Sequence, residues 1–298
     1  MNKLRLYTKV VLLFLSRKLV TAKDIGQSYS QVSNSYTDRF LSTMHRYNDE
    51  MIMELANNLN KDQNSNQDKY RDALKVLDLA AGTGYNSSTL SKIFPTAELT
   101  LVDISTAMLN IAEKHLQQNA IPATFVAEDM LSILKSSAAE TFDIVICAWA
   151  LKYQSPLQII RHCHRVLRPG GFLSVIVNKK NTLPQVAKIY PKLLERHTDK
   201  ISKLMLPLPN PKNLAVFDNW FLKNSFSKVV SKEGSHDFTF NTSRELVDFV
   251  TSTGALAGFD VMLDLRHPAV QSDMIQLMQK NHLTTASHRY IYGIYKKN

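Results

Sequence analysis

The stretch VLDLAAGTGYNSSTL, residues 76 to 90, opens as a short apolar run and breaks into small and polar residues that include Gly82 and Gly84. Glycine after a buried strand has a physical use: without a Cβ the chain turns tightly and lets a ligand lie against its backbone. In open parallel sheets such ligands sit beyond the carboxyl ends of the strands. The dinucleotide fingerprint needs a third glycine for close helix packing, and Ser87 stands at that position. Glycine spacing alone leaves a phosphate, a nucleoside and a purely structural turn open.

Three carboxylates narrow the choice. Asp78 stands four residues before Gly82, where it can bond backbone amides of the turn or an ammonium group on a ligand. Asp103 ends the run LTLVD, and a carboxylate there can accept both hydroxyls of a ribose. Asp129 ends the run FVAED, where an adenine amino group could be read. Each such charge-assisted bond is worth about 1.5–3 kcal/mol. A nucleoside bearing an amino-acid-like cation fits all three acids. A pyrophosphate fits less well, because acids crowd its seat and no lysine or arginine faces it.

The elements that must position these residues follow from hydrophobic rhythm. ALKVLDLA (73–80), AELTLVDI (97–104), ATFVAED (123–129), FDIVICAWA (142–150) and GGFLSVIV (170–177) are short apolar runs separated by helical patterns. Strand and helix alternating predicts an α/β fold: a parallel sheet with helices on both faces. Near-continuous apolar strands are expected where both faces are covered. Upstream, residues 20 to 58 read as helices, and 60 to 72 as a polar linker or exposed loop. Downstream, 179 to 222 is basic, proline-bearing and irregularly apolar. FSKVVSKEGSHDFTF reads as a hairpin turned near Gly234, SRELVDFVTSTGA as a helix, and HRYIYGIYKK as a terminal strand.

Composition sets the outer limits. The 298 residues are 44% hydrophobic and 21% charged, ordinary for a globular protein with a sizeable core. Two cysteines, Cys147 and Cys163, form neither a disulfide framework nor a zinc pattern, which favours a reducing, cytoplasmic setting. No metal is expected, since no histidine or acid cluster has ligand spacing. The net charge of +10 is spread thinly, without a basic stripe interleaved with aromatics, so nucleic acid is disfavoured as a partner. The N-terminal MNKLRLYTKVVLLFLSRKLVTAK is basic and acid-free, and its apolar core is too short to span a bilayer. It reads first as a helix capping the domain or covering its site. A mitochondrial presequence and peripheral contact with a membrane surface are the alternatives.

Taken in order, VLDLAAGTG, LTLVDIS, AEDM, FDIVICAWALKY and RVLRPGGFLSVIV resemble the successive motifs of class I S-adenosylmethionine-dependent methyltransferases, over about residues 74 to 178. YSQVSNSYTDRF is similar to the tyrosine-containing entry helix of the small-molecule branch, which includes the ubiquinone and menaquinone methyltransferases. The resemblance implies a Rossmann-like, seven-stranded, mostly parallel sheet whose last strand is antiparallel. It implies N-terminal helices over 1–59 covering the site, and a cofactor-binding core over 73–178. It implies an acceptor-binding helical lid insertion with the last two strands over 179–298, the whole forming a single unit. Asp78, Gly82 and Gly84 would hold the methionine part of S-adenosylmethionine, whose product is S-adenosylhomocysteine. Ala80 stands where the family often has a first glycine. Asp103 would hold the ribose with Ile104 against the adenine, and Asp129 and Met130 would bracket the adenine amino edge. Cys147, Ala148 and Trp149, after the fourth strand, would lie near the sulfonium. LRPGG is then a structural turn into the fifth strand.

Methyl transfer asks a protein mainly to position and desolvate, with a base only where the nucleophile must lose a proton. Tyr29 and Tyr36, seven apart on one helix face, suit core packing and a lid over the cofactor equally. Tyr153, at the rim beyond the fourth strand, and His288, before the last strand, are with Tyr36 the candidates for catalysis. The expected reaction is O- or C-methylation of a small, largely apolar acceptor. Rival readings are carboxyl methylation of a carrier-bound acyl group, an NAD(P)-dependent oxidoreductase and a non-catalytic nucleoside-binding protein.

Overall fold

The computed structural model describes residues 2–32, 38–65, 73–252, 256 and 258–298. Its strands are β1 (Lys75–Leu79), β2 (Glu98–Val102), β3 (Ala123–Val126), β4 (Phe142–Ala148), β5 (Leu167–Asn178), β6 (Phe226–Thr239) and β7 (Thr285–Lys297). They form one sheet in the order β3-β2-β1-β4-β5-β7-β6. The pairs β1–β2, β1–β4, β2–β3 and β4–β5 are parallel, and β7 runs antiparallel to β5. This is the mostly parallel, Rossmann-like sheet that the sequence implies, with the antiparallel strand inserted between β5 and β6. The strand order reverses between β1 and β4, which opens a crevice at their carboxyl ends.

Burial on both faces explains the apolar runs. All seven residues of β4 are buried, and so are four of the five in β1. The helices are α1 (Asn2–Leu15), α2 (Ala22–Val32), α3 (Asp38–Ser65), α4 (Tyr85–Ile93), α5 (Thr106–Gln118), α6 (Met130–Ser136) and α7 (Pro156–Val166). After β5 come α8 (Pro184–Arg196), α9 (Leu214–Leu222), α10 (Ser243–Ser252), α11 (Phe259–Met262) and α12 (Pro268–Lys280).

Compactness divides the chain differently from the segments 1–59, 73–178 and 179–298. One unit comprises 41–180, 209–234 and 290–298, the other 1–40, 181–208 and 235–289, so the divisions fall inside α3, β6 and β7. The first unit is built on the sheet, with Leu77, Leu79, Val145, Cys147, Val175, Phe217, Phe221 and Tyr295 in one buried cluster. The second has its own smaller cluster of Leu13, Ile201 and Met262.

Two local readings are corrected. FSKVVSKEGSHDFTF is no hairpin: residues 226–239 form one continuous strand. Gly234 makes no turn there. A Cβ on it would lie 2.5 Å from the Tyr290 hydroxyl, so the glycine makes room for a neighbouring ring. The polar segment 60–72 begins as helix, since α3 continues to Ser65, and Lys296 bonds Asp62 within that last turn. Residues 66–72 lie outside the described residues.

Candidate functional site

The loop after β1 takes three left-handed residues at alternate positions, Ala80 (φ 55°), Gly82 (φ 56°) and Gly84 (φ 76°). Each answers to a different constraint. Gly84 is the tight-packing glycine: a Cβ there would meet Leu116 at 2.9 Å and Ala112 at 3.0 Å, both on α5. Gly82 has no heavy atom within 4 Å of such a Cβ, so backbone conformation, not crowding, calls for glycine, and the space beside it is open. Ala80 holds a conformation that costs a residue with a Cβ about 1–2 kcal/mol. Ser87, where a dinucleotide fold has its third glycine, donates its hydroxyl to Asp78 Oδ2 at 2.7 Å.

The three acids are in different chemical states. Asp78 is 1% exposed, and its Oδ1 is buried without a hydrogen-bond partner among the described residues. Burial raises its pKa to about 7, the Ser87 hydroxyl opposes the rise, and the charge of Asp103 adds to it. Asp103 follows β2 and closes the neighbouring loop, accepting from Gly82 N at 2.9 Å through Oδ2 and from Ser105 N at 2.8 Å through Oδ1. Burial raises its pKa too, against those backbone bonds. No cation forms an ion pair with Asp78 or Asp103 among the described residues. Ile104, beside them, leaves its apolar side chain 39% exposed.

Asp129 is placed otherwise than its run suggests. β3 ends at Val126, and Asp129 is the N-cap of α6. Its Oδ1 accepts from Leu131 N (3.0 Å), Ser132 N (3.1 Å) and Gln154 Nε2 (2.7 Å), and its Oδ2 from the Ser132 hydroxyl. Burial pushes its pKa up, but the bonds from Ser132 and Gln154 prevail and hold it down. Gln154 also accepts from Leu131 N, so the segment after β4 is tied to the start of α6.

Cys147 lies within β4, not after it. It is fully buried, pairs in register with Leu79, and its thiol reaches Met130 Sδ at 3.8 Å. Burial, with the nearby Asp78 charge, pushes the thiol up to about 12, which makes it an inert core group. Trp149 follows in a left-handed conformation (φ 64°), and its indole N–H donates to Asn48 Oδ1 at 2.9 Å. A bulky residue at positive φ is held there by its surroundings and marks a constrained site. The chain then makes a 3₁₀ turn over Leu151–Tyr153. Lys152 in that turn is 8% exposed, with its ammonium 4.9 Å from the Tyr153 ring centre. Burial alone lowers its pKa to about 8.

Helix α3 joins the two loops. Its Asp49 accepts from the Tyr85 hydroxyl at 2.8 Å, and its His45 stacks on the Tyr85 ring with centroids 3.4 Å apart. Tyr85 is the residue after Gly84, whereas Asn48, one turn along α3, reaches Trp149 beyond β4. The Nε2 of His45 is buried without a hydrogen-bond partner among the described residues. Burial lowers its pKa to about 4, with His115 adding and Asp49 opposing, so the imidazole is neutral.

Asp78, Ala80, Gly82, Gly84, Asp103, Ile104, Asp129, Met130, Cys147 and Tyr153 therefore belong to the sheet unit. Tyr29, half-buried on α2, and His288, 3% exposed in β7, belong to the other unit. Tyr36 lies outside the described residues. His45, Asn48, Asp49, Tyr85 and Lys152 are additions that only the folded arrangement brings out. Among the described residues no group of histidine, cysteine and acid side chains could hold a metal ion.

Residues 76–171 match a family model described as a methyltransferase domain. Over 103 residues the chain is 37% identical to a demethylmenaquinone methyltransferase of Chlamydia muridarum, covering 34% of this chain and 43% of that protein. It is 32% identical over 123 residues to a ubiquinone/menaquinone biosynthesis C-methyltransferase of Syntrophotalea carbinolica, covering 39% and 48%. It is 30% identical over 142 residues to a ubiquinone biosynthesis O-methyltransferase of Actinobacillus pleuropneumoniae, covering 45% and 60%. The chain thus spans about half the length of these curated relatives. Among solved structures, the [4+2]-cyclase SpnF superposes with a TM-score of 0.56 at 16% identity, covering 94% of this chain and 97% of that one. The YcgJ protein of Bacillus subtilis does so at 0.51 and 15%, covering 76% and 93%. These likenesses bear on the fold alone.

Proposed function

We propose, from the premise that residues 76–171 carry a class I S-adenosylmethionine-dependent methyltransferase domain, that the protein methylates oxygen or carbon on a small, largely apolar acceptor. The observation that carries the reading is Asp78: a buried carboxylate with one oxygen unpartnered among the described residues, beside the half-buried Asp103 and open space at Gly82. A site built this way wants a cation with hydroxyls, not a phosphate, and S-adenosylmethionine fits it. When bound, that cofactor supplies a methyl group on a sulfonium, ready for in-line displacement.

The chain's own residues do the rest. Asp78 would hold the amino-acid ammonium, Asp103 the ribose hydroxyls, and Ile104 the adenine face. The Asp129 carboxylate chiefly fixes α6, leaving an edge of Met130 and backbone toward the base. Trp149 and Asn48 fix the loop beyond β4, and Tyr85 with His45 fixes the loop beyond β1. Lys152 and Tyr153 lie in the turn after β4, where an acceptor's ionisable oxygen would be oriented. Water exclusion and positioning suffice for an acidic acceptor, and a base is needed only for a weakly acidic one. The relatives named for C- and O-methylation support carbon or oxygen over nitrogen. The two buried free cysteines support a reducing compartment, for which we take the cytoplasm.

A [4+2]-cyclase shares this fold, so binding must be separated from methyl transfer. Calorimetry of the full chain with S-adenosylmethionine and S-adenosylhomocysteine comes first. Transfer of labelled methyl is then followed over a panel of phenols, hydroquinones and carrier-bound acyl acids. Binding of both compounds with label in a phenol or hydroquinone is expected. Binding without transfer to any acceptor would move the reading to a non-methylating use of the site, and no binding of either compound would end it.

A further inference from the structure

Helix α1 carries an exposed apolar surface. Its inner face is docked: Leu13 is buried with Ile201 and Met262, and Leu6, Leu194, Leu204 and Met205 pack on the same cluster. The chain that follows is fixed as well, since Val20 N donates to the Leu204 carbonyl at 3.0 Å and Leu204 N to the Lys18 carbonyl at 2.8 Å. The rest of the helix is largely exposed, with Leu4 and Leu12 bordering a cleft beside Thr198 and Asp199. Leu4 is 72% exposed, Tyr7 70%, Val11 37%, Phe14 57% and Leu15 72%, at three- and four-residue steps that place them in one stripe. With Leu12, this one helix holds six of the twelve exposed large apolar side chains among the described residues. Scattered apolar residues on a surface are ordinary, but a contiguous stripe marks something that covers it.

Charge indicates the cover. Residues 1–23 include Lys3, Arg5, Lys9, Arg17, Lys18 and Lys23, and no acid. Lys3 and Arg5 flank Leu4 on the two sides of the helix, at about 100° per residue. A second copy docked on this stripe would bring two sets of like charges together, whereas an anionic surface would neutralise one. At fourteen residues α1 is about 21 Å long, too short to cross a hydrocarbon core of about 30 Å. A helix of this kind lies in the plane of a membrane interface.

We propose that the exposed face of α1 seats the protein on an anionic lipid surface. Leu4, Tyr7, Val11, Phe14 and Leu15 enter the headgroup boundary, and the flanking lysines and arginines meet lipid phosphates. The inference stands apart from the reading of the methyl-donor site, and neither falls with the other.

The test is flotation of the full chain with vesicles of equal parts phosphatidylcholine and phosphatidylglycerol, against vesicles of phosphatidylcholine alone. The protein should float with the mixed vesicles, stay behind with the neutral ones, and be released by high salt. The double substitution Leu4→Ser and Phe14→Ser should weaken binding by about tenfold or more. Lys3→Gln with Arg5→Gln should weaken it by about 30-fold, from about fivefold per cation. All four positions are exposed, and an unchanged melting temperature verifies the fold of each variant. The wild-type comparison of the two vesicle types stands without any variant. Equal flotation on both vesicles, no flotation at all, or indifference to loss of Leu4 and Phe14 overturns the proposal. So does a dimer in sedimentation that the Leu4→Ser, Phe14→Ser protein no longer forms, because the stripe then belongs to a second copy.

Discussion

Replacing Asp78 with asparagine should strengthen the free protein and weaken its grip on the cofactor. The Asp78 carboxyl has a pKa of about 7 in the fold, against an ordinary 3.8. The folded state therefore binds more protons than the unfolded chain between about pH 4 and 7, and stability falls as pH rises through that window. The penalty is absent below it and complete above it, where it amounts to roughly 4 kcal/mol at most. Asparagine keeps an oxygen for Ser87 and carries no charge. Asp78→Asn should thus raise the melting temperature at pH 8 and leave it nearly unchanged at pH 4. A ligand ammonium on the unpartnered oxygen would drive the proton off instead. Calorimetry in buffers of different ionisation enthalpy then shows wild type releasing more protons than Asp78→Asn on binding S-adenosylmethionine. The excess is about 0.9 at pH 6, about 0.5 at pH 7 and near zero at pH 8.5. At pH 8 the asparagine protein should bind about 10- to 150-fold more weakly, through the loss of one charge-assisted bond. A variant that is less stable at pH 8, or equal proton release from both proteins, would refute the assignment of a buried carboxylate kept for a cation.

Two further substitutions probe neighbouring residues. Lys152 has a folded pKa of about 8 against 10.5, so the fold is penalised while the amine is charged and recovers as pH rises from 8 to 10.5. Lys152→Met should stabilise the protein at pH 7 by roughly 3 kcal/mol at most, read by denaturant unfolding. If the amine orients the acceptor, kcat/KM of the variant loses its inflection near pH 8 while cofactor affinity stays unchanged. Ala80 holds φ 55°, so Ala80→Gly should relieve about 1 kcal/mol of backbone strain. An unchanged or lowered unfolding midpoint would show that the alanine methyl group makes contacts worth as much as the strain.

What the sequence made legible is whatever local rhythm controls. The strands were readable because a doubly covered sheet demands unbroken apolar runs, as in FDIVICA. The antiparallel last strand came from resemblance, since alternation in HRYIYGIYKK says nothing of direction. Gly82 could be read as backbone freedom, but Gly84 and Gly234 owe their identity to Leu116 and Tyr290, far away in the chain. Gly234 suggested a turn for that reason. Asp129 was itself a local N-cap signal ahead of the run MLSILK, which the adenine reading passed over. The partnerships Asn48–Trp149 and His45–Tyr85 have no sequence signature, because 101 and 40 residues separate their members. Lys152 looks like any surface lysine until the turn after β4 buries it.

The position of β7 between β5 and β6 has a consequence for how the chain reaches this state. β6 leaves the ribosome first, but its neighbour in the sheet, β7, begins 46 residues after β6 ends. At ordinary rates of synthesis, roughly 5–20 residues per second, β6 waits some seconds with its backbone edge unmatched. The charged Lys228, Lys232, Glu233 and Asp237 along this strand suit such an interval, since charges along an open edge discourage pairing with the wrong strand. The parallel strands β1 to β5 can assemble during that time, and the sheet closes only when its last strand slides in between.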